Sequence, residues 1–188
     1  MFMKKRNIIS LSGDLASGKG SVSEVLMDKL SYGIYRNGEY FRKLAKEANM
    51  SLAEFGKYVE EHPEIDIEIE NSAKEYAKHN DKFIIDARLG WYAVPESFKV
   101  YLRVDIDEAA RRAFKDDKRK DLEKYTDIET HKKALIERFK CENERYFKLY
   151  GVKKDDYSNY DLIVDTTNLT PEEIADIIIR EYDKWKKS

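Results

Sequence analysis

At 188 residues the chain has the size of one domain, and a globule of that length buries about 70% of the surface its unfolded form exposes. Its 35 Lys and Arg against 37 Asp and Glu give a net charge of -2, so the totals exclude a generally basic duplex nucleic-acid binder, and any anion chemistry must come from local clusters of positive charge. Cys141 is the single cysteine, which excludes an intrachain disulfide and a cysteine-based zinc cage and fits a reducing compartment.

Met1 to Arg6 is basic, but the apolar run Ile8 to Leu11 is far shorter than a signal core or a membrane span and leads straight into a glycine-bearing turn. The expectation is a cytoplasmic, unprocessed monomer with neither membrane nor nucleic-acid partners. Short apolar runs alternate with long amphipathic stretches, the pattern of an α/β protein with a parallel sheet. Strands are expected at Asn7 to Ser12, Gly33 to Arg36, Lys82 to Asp86, Phe98 to Val104 and Asp161 to Asp165.

Between the first two strands, Val22, Val25, Leu26 and Leu30 lie on one face of a helix that packs on the sheet. Tyr40, Phe41, Leu44 and Ala45 mark a second helix, and the capping box Ser51-Leu52-Ala53-Glu54 starts a third. Ile65, Ile67 and Ile69 alternate like a strand, yet Ile65, Ile69, Ala73 and Tyr76 keep helical spacing behind Pro63; the longer pattern, to His79, predicts a helix. Lys115 to Asp121 is a charge run without apolar anchors, readable as a solvated connector or as a mobile lid. A long helix follows, with Ile128, Leu135, Phe139, Tyr146 and Leu149, and stops at Gly151. Thr170-Pro171-Glu172-Glu173 opens the last helix with a cap, an N1 proline and a capping-box glutamate.

The strongest chemical signal is Gly13-Asp14-Leu15-Ala16-Ser17-Gly18-Lys19, set between the first strand and the first helix. Glycines at both ends allow backbone N–H groups to converge on one point, the helix N-terminus favours an anion, and Lys19 brings a full charge to the outer phosphates of a nucleotide. The loop through Gly20 and Ser21 is therefore the expected ATP-binding element. Gly20 stands where a metal-ligating hydroxyl commonly follows the lysine, the hydroxyl being delayed to Ser21, so magnesium is expected to be held through ATP oxygens and water.

Transfer between two nucleotides brings two anionic groups together and needs further cations. Gly38 and Arg42 follow the second strand, and Asp86 and Arg88 follow the third, at strand ends where ligand crevices form. Arg42 and Arg88 are the expected grips on the acceptor phosphate. Asp86 is placed to orient magnesium-bound water or to hold Arg88. Arg138 and Arg145, seven apart on the long helix, could reach the transferring phosphoryl group or could pair with Glu137, Glu142 or Glu144. His62, His79 and His131 have no catalytic or metal-ligand spacing.

Nearly the whole chain resembles the short, archaeal-type cytidylate kinases, within the adenylate-kinase-like nucleoside monophosphate kinases. The resemblance runs through Gly38 to Glu47, Met50 to Tyr58, His62 to Asp66, Asp86 to Trp91, Glu142 to Gly151 and Asp161 to Thr166. It implies a P-loop NTPase fold with a five-stranded parallel sheet flanked by helices, a helical acceptor-binding insertion at about 37–80 and a small lid at about 114–130. It also implies ATP with magnesium as donor and CMP or dCMP as acceptor. The chain departs from the family in its Gly-Lys-Gly-Ser loop, in Asp86-Ala87-Arg88 where an acidic residue, glycine and arginine are commoner, and in Asp116-Asp117 where a lid arginine is expected; Arg112, Lys115, Lys118 or Arg119 would then substitute. Two other readings compete: a kinase of another small acceptor, such as AMP or a metabolite, and a nucleotide-binding regulatory protein without transfer activity.

Overall fold

The computed structural model describes residues 6–50, 52–115 and 127–188. Five strands, β1 (Ile8–Gly13), β2 (Gly33–Arg36), β3 (Phe83–Asp86), β4 (Phe98–Arg103) and β5 (Leu162–Asp165), form one sheet in the order β2-β3-β1-β4-β5, every pairing parallel. The helices are α1 (Lys19–Leu30), α2 (Asn37–Glu47), α3 (Leu52–Glu61), α4 (Pro63–His79), α5 (Gly90–Ala93), α6 (Ile106–Lys115), α7 (Ile128–Tyr150) and α8 (Pro171–Lys187). The five expected strands form within a residue at either end. The short α5 lies where the sequence reading placed no element, because four residues are too few to show a period.

Both sheet faces are covered, as parallel strands require. Alternate residues of β1 serve opposite layers: Ile9 and Leu11 pack with Val22 and Leu26 of α1 and Ile174 and Ile178 of α8, whereas Ile8 packs with Phe83, Ile85 and the α4 residues Ala73 and Ala77. Each such Ile or Leu stabilises the fold by about 1.5–3 kcal/mol through burial. The Ile65 to His79 pattern is indeed helical, since α4 buries Ile69, Ala73 and Ala77 on one face, Ala73 and Ala77 against Ile8, Phe83 and Ile85 of the sheet.

The caps agree with local chemistry. Thr170 accepts from Glu173 N while the Glu173 carboxylate accepts from Thr170 N at 2.8 Å, closing the capping box. Gly151 ends α7 at φ 69, where a Cβ would be strained. Ser51, the expected cap of α3, and most of the charge run from Lys115 to Asp121 lie outside the described residues, as do 116–126 of the expected lid segment.

One consequence of the strand order positions the site. From β1 the chain runs to β2 at the sheet edge and returns to β3 beside β1, then crosses to β4 on the other side of β1, so the loops after β1 and its neighbours diverge at the carboxyl end of β1 and leave a crevice there.

Candidate active site

The loop from β1 to α1 closes the bottom of that crevice. Gly13, at φ 154, is needed for close approach: a Cβ there would stand 2.4 Å from the Leu102 carbonyl oxygen on β4. Asp14 N donates to that same carbonyl at 2.9 Å. The Asp14 side chain turns away from the loop concavity, its Oδ1 accepting from Tyr101 Oη at 2.6 Å and its Oδ2 from Val104 N at 2.9 Å, so this carboxylate anchors the loop to the end of β4. Gly18 adopts φ 87 just before Lys19 starts the helix, which turns the first helical N–H groups toward the crevice.

The crevice is a cleft of about 600 Å³. Its floor is the loop from Leu15 to Ser21, and Arg36, Asn37, Gly38, Arg42, Asp86, Arg88 and Arg112 complete its lining. The described lining thus holds five cations, Lys19, Arg36, Arg42, Arg88 and Arg112, against one carboxylate, Asp86. A cleft so charged concentrates anions and is costly to leave without them. Burial and the neighbouring Arg88 pull the Lys19 ammonium down to about 8, although Asp86 opposes the shift.

Each arginine is held differently. Arg36 sits between Glu24, Glu39 and, at 4.0 Å, Asp86. Arg112 bonds Glu108 and donates to the Thr166 and Thr167 carbonyls at 2.7 and 3.0 Å, which ties α6 to the loop after β5. Arg88 is fixed at both ends: Ser12 Oγ donates to its carbonyl at 2.9 Å, and its Nε pairs with Glu142 Oε2 at 3.1 Å.

Glu142, on α7, is the hub of a buried charge cluster. Besides Arg88 it accepts from the fully buried Lys154 ammonium and from Arg138 Nε at 3.2 Å. Burial alone would raise the Glu142 carboxyl, but Arg88 and Lys154 outweigh it and hold the group well below the usual carboxylate range. Lys154 also caps the Phe139 ring at 4.2 Å.

The sequence-derived site residues therefore divide. Gly13 to Ser21, Gly38, Arg42, Asp86 and Arg88 come together around the crevice, Gly13 and Asp14 as its support. Arg138 and Arg145 do not line the cleft. Arg138 pairs with Glu142, and Arg145 lies 3.1 Å from Asp66 of α4, a partner outside its own helix. Of the pairings weighed from sequence, Arg138 takes Glu142, whereas Arg145 takes none of Glu137, Glu142 or Glu144.

Sequence reasoning missed Arg36, Asn37 and Lys154. Arg36 ends β2 and Asn37 directly follows it, positions that could have drawn attention to them. Lys154 sits in a charged stretch that reads as a solvated turn, and nothing in its neighbours signals burial.

On α4, Asp66 and Glu70 are also buried. Burial, with Asp66 adding repulsion, pushes the Glu70 carboxyl up to about 7, while Arg88 and Arg145 oppose it.

With the cleft in view, comparisons with known proteins give it a context. Residues 8–168 match the model of the cytidylate kinase-like family. The chain belongs to that family. A cytidylate kinase of Thermoplasma volcanium is 33% identical over 184 residues, covering 95% of this chain and 93% of the relative. One from Methanoregula boonei is 34% identical over 182 residues, covering 96% of each. Among solved structures, shikimate kinase from Acinetobacter baumannii in complex with shikimate superposes with a TM-score of 0.62 at 13% identity, covering 98% of this chain and 97% of that one, which shows a shared kinase fold. The family's P-loop fold thus accounts for the glycine loop at the mouth of β1.

Proposed function

We propose that the protein transfers the γ-phosphoryl group of ATP to CMP or dCMP, giving ADP and the corresponding diphosphate. The observation that carries this reading is the cleft itself: five cations converge beside a phosphate loop, in a member of the cytidylate kinase-like family. In this reading Lys19 and the amides of the loop through Gly20 and Ser21 hold the outer phosphates of ATP. Arg42 and Arg88 grip the acceptor phosphate, Arg88 with its guanidinium oriented by Glu142, and Arg36 and Arg112 extend the positive wall. Arg138 and Arg145 serve as positioning residues, Arg138 through Glu142 and Arg145 through Asp66.

The acceptor phosphate oxygen is already a nucleophile. Catalysis then consists of holding donor and acceptor in line, cancelling charge that would keep them apart, and excluding water. The hard oxygens of Asp86 and Ser21 suit magnesium carried mainly by phosphate oxygens and water. Bound with ATP, the metal supplies further charge neutralisation. A single domain with an acceptor-binding insertion at about 37–80 and a lid at about 114–130, acting as a cytoplasmic monomer on small nucleotides, completes the proposal. No helix among the described residues is long and apolar enough to cross a membrane.

The deciding experiment is an acceptor screen with ATP and magnesium. CMP and dCMP are expected to exceed UMP, AMP and shikimate by at least about tenfold in kcat/KM, equal to about 1.4 kcal/mol. Preference for another acceptor points to the competing kinase reading, and ATP binding without ADP formation points to a regulatory protein.

A pH profile tests the role given to Lys19. The free enzyme carries a charged Lys19 below about 8 and loses the charge above it. Because kcat/KM reports the free enzyme, kcat/KM for ATP is expected to be level near neutrality and to fall about tenfold per pH unit once the pH passes about 8. A plateau extending to about pH 9.5 contradicts that role.

A further inference from the structure

Lys154, in the turn after α7, has a side chain only 1% exposed, although it ends in an ammonium group. Its backbone is fixed on both sides: its N donates to Asn143 Oδ1 at 3.0 Å, and its carbonyl accepts from Tyr160 Oη at 2.6 Å. The ammonium rests over the Phe139 ring and bonds Glu142 Oε2, the same oxygen that Arg88 Nε reaches at 3.1 Å. Two cations thus share one carboxylate oxygen. Arg138 takes the other, Oε1, from a side chain 45% exposed, where water screens its charge.

A buried ion pair is weak grounds for stability, because well-packed apolar side chains of similar volume often serve as well. Burial pulls the Lys154 ammonium down, Glu142 opposes the shift and Arg88 adds to it by repulsion. The charge therefore needs a reason beyond packing, and its neighbours supply one. Arg88 lines the cleft, and Lys154 stands behind it, outside the lining. Arg88 meets Glu142 through Nε, on the stem side of the guanidinium, and its two terminal nitrogens make no hydrogen bond to a described residue. That end is the one that can fork onto a phosphate. A carboxylate that orients an arginine also cancels part of its pull on an anion. A second buried cation on the same oxygen offsets that cancellation, and the charge of Lys154 reaches Lys19 as well.

We propose that Lys154 is a positioning residue of the acceptor site: it takes up the charge of Glu142, so that Glu142 aims Arg88 at the acceptor phosphate without cancelling it. This rests on the kinase reading above. Without the ammonium, Glu142 Oε2 faces Arg88 alone, and Arg88 offers less charge to the phosphate. The fold itself has little need of the lysine, since Glu142 keeps two guanidinium partners.

The test is steady-state kinetics with ATP and CMP, together with the Kd for ATP, for the wild type, Lys154→Met, Lys154→Gln and Lys154→Arg. Lys154→Met is also made in an Arg88→Ala background. Lys154→Met and Lys154→Gln are expected to lower kcat/KM for CMP about tenfold, with the Kd for ATP held within about twofold and the melting temperature close to that of the wild type. Lys154→Gln keeps a donor for Glu142 without the charge, and decides the matter if Lys154→Met does not fold. Lys154→Arg keeps the charge and can stack on Phe139, so it is expected to stay within about threefold of the wild type. In Arg88→Ala, adding Lys154→Met is expected to change kcat/KM for CMP by less than about twofold, because the residue it acts through is gone. A lysine that served the fold alone would give the same factor in both backgrounds, and that outcome overturns the proposal. So do an unchanged kcat/KM in the folded neutral variants, an equal loss of ATP affinity, or a folded Lys154→Arg as impaired as Lys154→Met. A wild type that transfers nothing to CMP sinks the kinase reading, whereas CMP transfer that the Lys154 variants leave intact sinks the positioning role alone.

Discussion

Replacing Lys19 with alanine is expected to lower kcat by about a thousandfold, equal to about 4 kcal/mol of transition-state stabilisation, while the protein stays folded. The size follows from position: the lysine stands on the floor of the cleft within the phosphate loop, where its full charge acts directly on the transferring group. The unchanged fold follows from the direction of its pKa. Burial and Arg88 disfavour the charged lysine in the folded chain, so its ammonium costs stability near neutral pH, and removal relieves repulsion with Arg88. The melting temperature of Lys19→Ala at pH 7 should therefore equal or exceed that of the wild type. Near-normal turnover would remove the lysine from the reaction, and a large fall in melting temperature would show that activity was lost with the fold.

The largest effect on stability is expected from Glu142→Gln. This carboxylate is shared by Arg88, Lys154 and Arg138, and the Lys154 side chain is 1% exposed, so removing the negative charge strands buried cations. Breaking one side of such a cluster costs about 3–5 kcal/mol. For a chain of this length that is a fall in melting temperature of roughly 6–20 °C. Because the folded carboxyl lies far below its ordinary value, its contribution is complete above the unfolded carboxylate range near 4.3 and is lost as the pH drops through the folded value. The gap between wild type and Glu142→Gln should thus be full at pH 5 to 7, as estimated from that range, and narrow on acidification below about 4. Adding Lys154→Met to Glu142→Gln should restore part of the loss, since one stranded charge disappears with it. Additive losses in that double variant would show that the two residues do not share one interaction. Acceptor kcat/KM should fall as well, because Arg88 loses the partner that orients it, and ATP affinity should be spared.

Much of the molecule was legible from the chain because the signals are local. The loop Gly13 to Lys19 lies between a strand and a helix within one continuous segment, and its geometry follows from two glycines and a helix start. Thr170 to Glu173 closes a capping box within four residues. The five strands announced themselves as short apolar runs, and Ile65 to His79 settled as a helix because its period exceeded the length over which strand and helix patterns agree. Arg42, Asp86 and Arg88 were reachable too, as residues just beyond strand ends in a parallel sheet.

What tertiary structure decided is which distant charges meet. Arg88 and Glu142 are 54 positions apart, Asp66 and Arg145 belong to different helices, and Asn37 meets Glu70 only because α2 packs on α4. Nothing local distinguishes Arg145, held to α4, from an arginine paired along its own helix, or Lys154, fully buried, from the solvated Lys153 beside it. Periodicity reports which face of an element is apolar, since burial of hydrocarbon depends on the pattern alone. An ion pair depends on where a second element ends up, and its net worth is set by how much water that element excludes. For this chain the sequence by itself determined the phosphate loop, the strands and the helix ends; the packing of α4 and α7 determined which cations are held away from the cleft and which carboxylates stay buried.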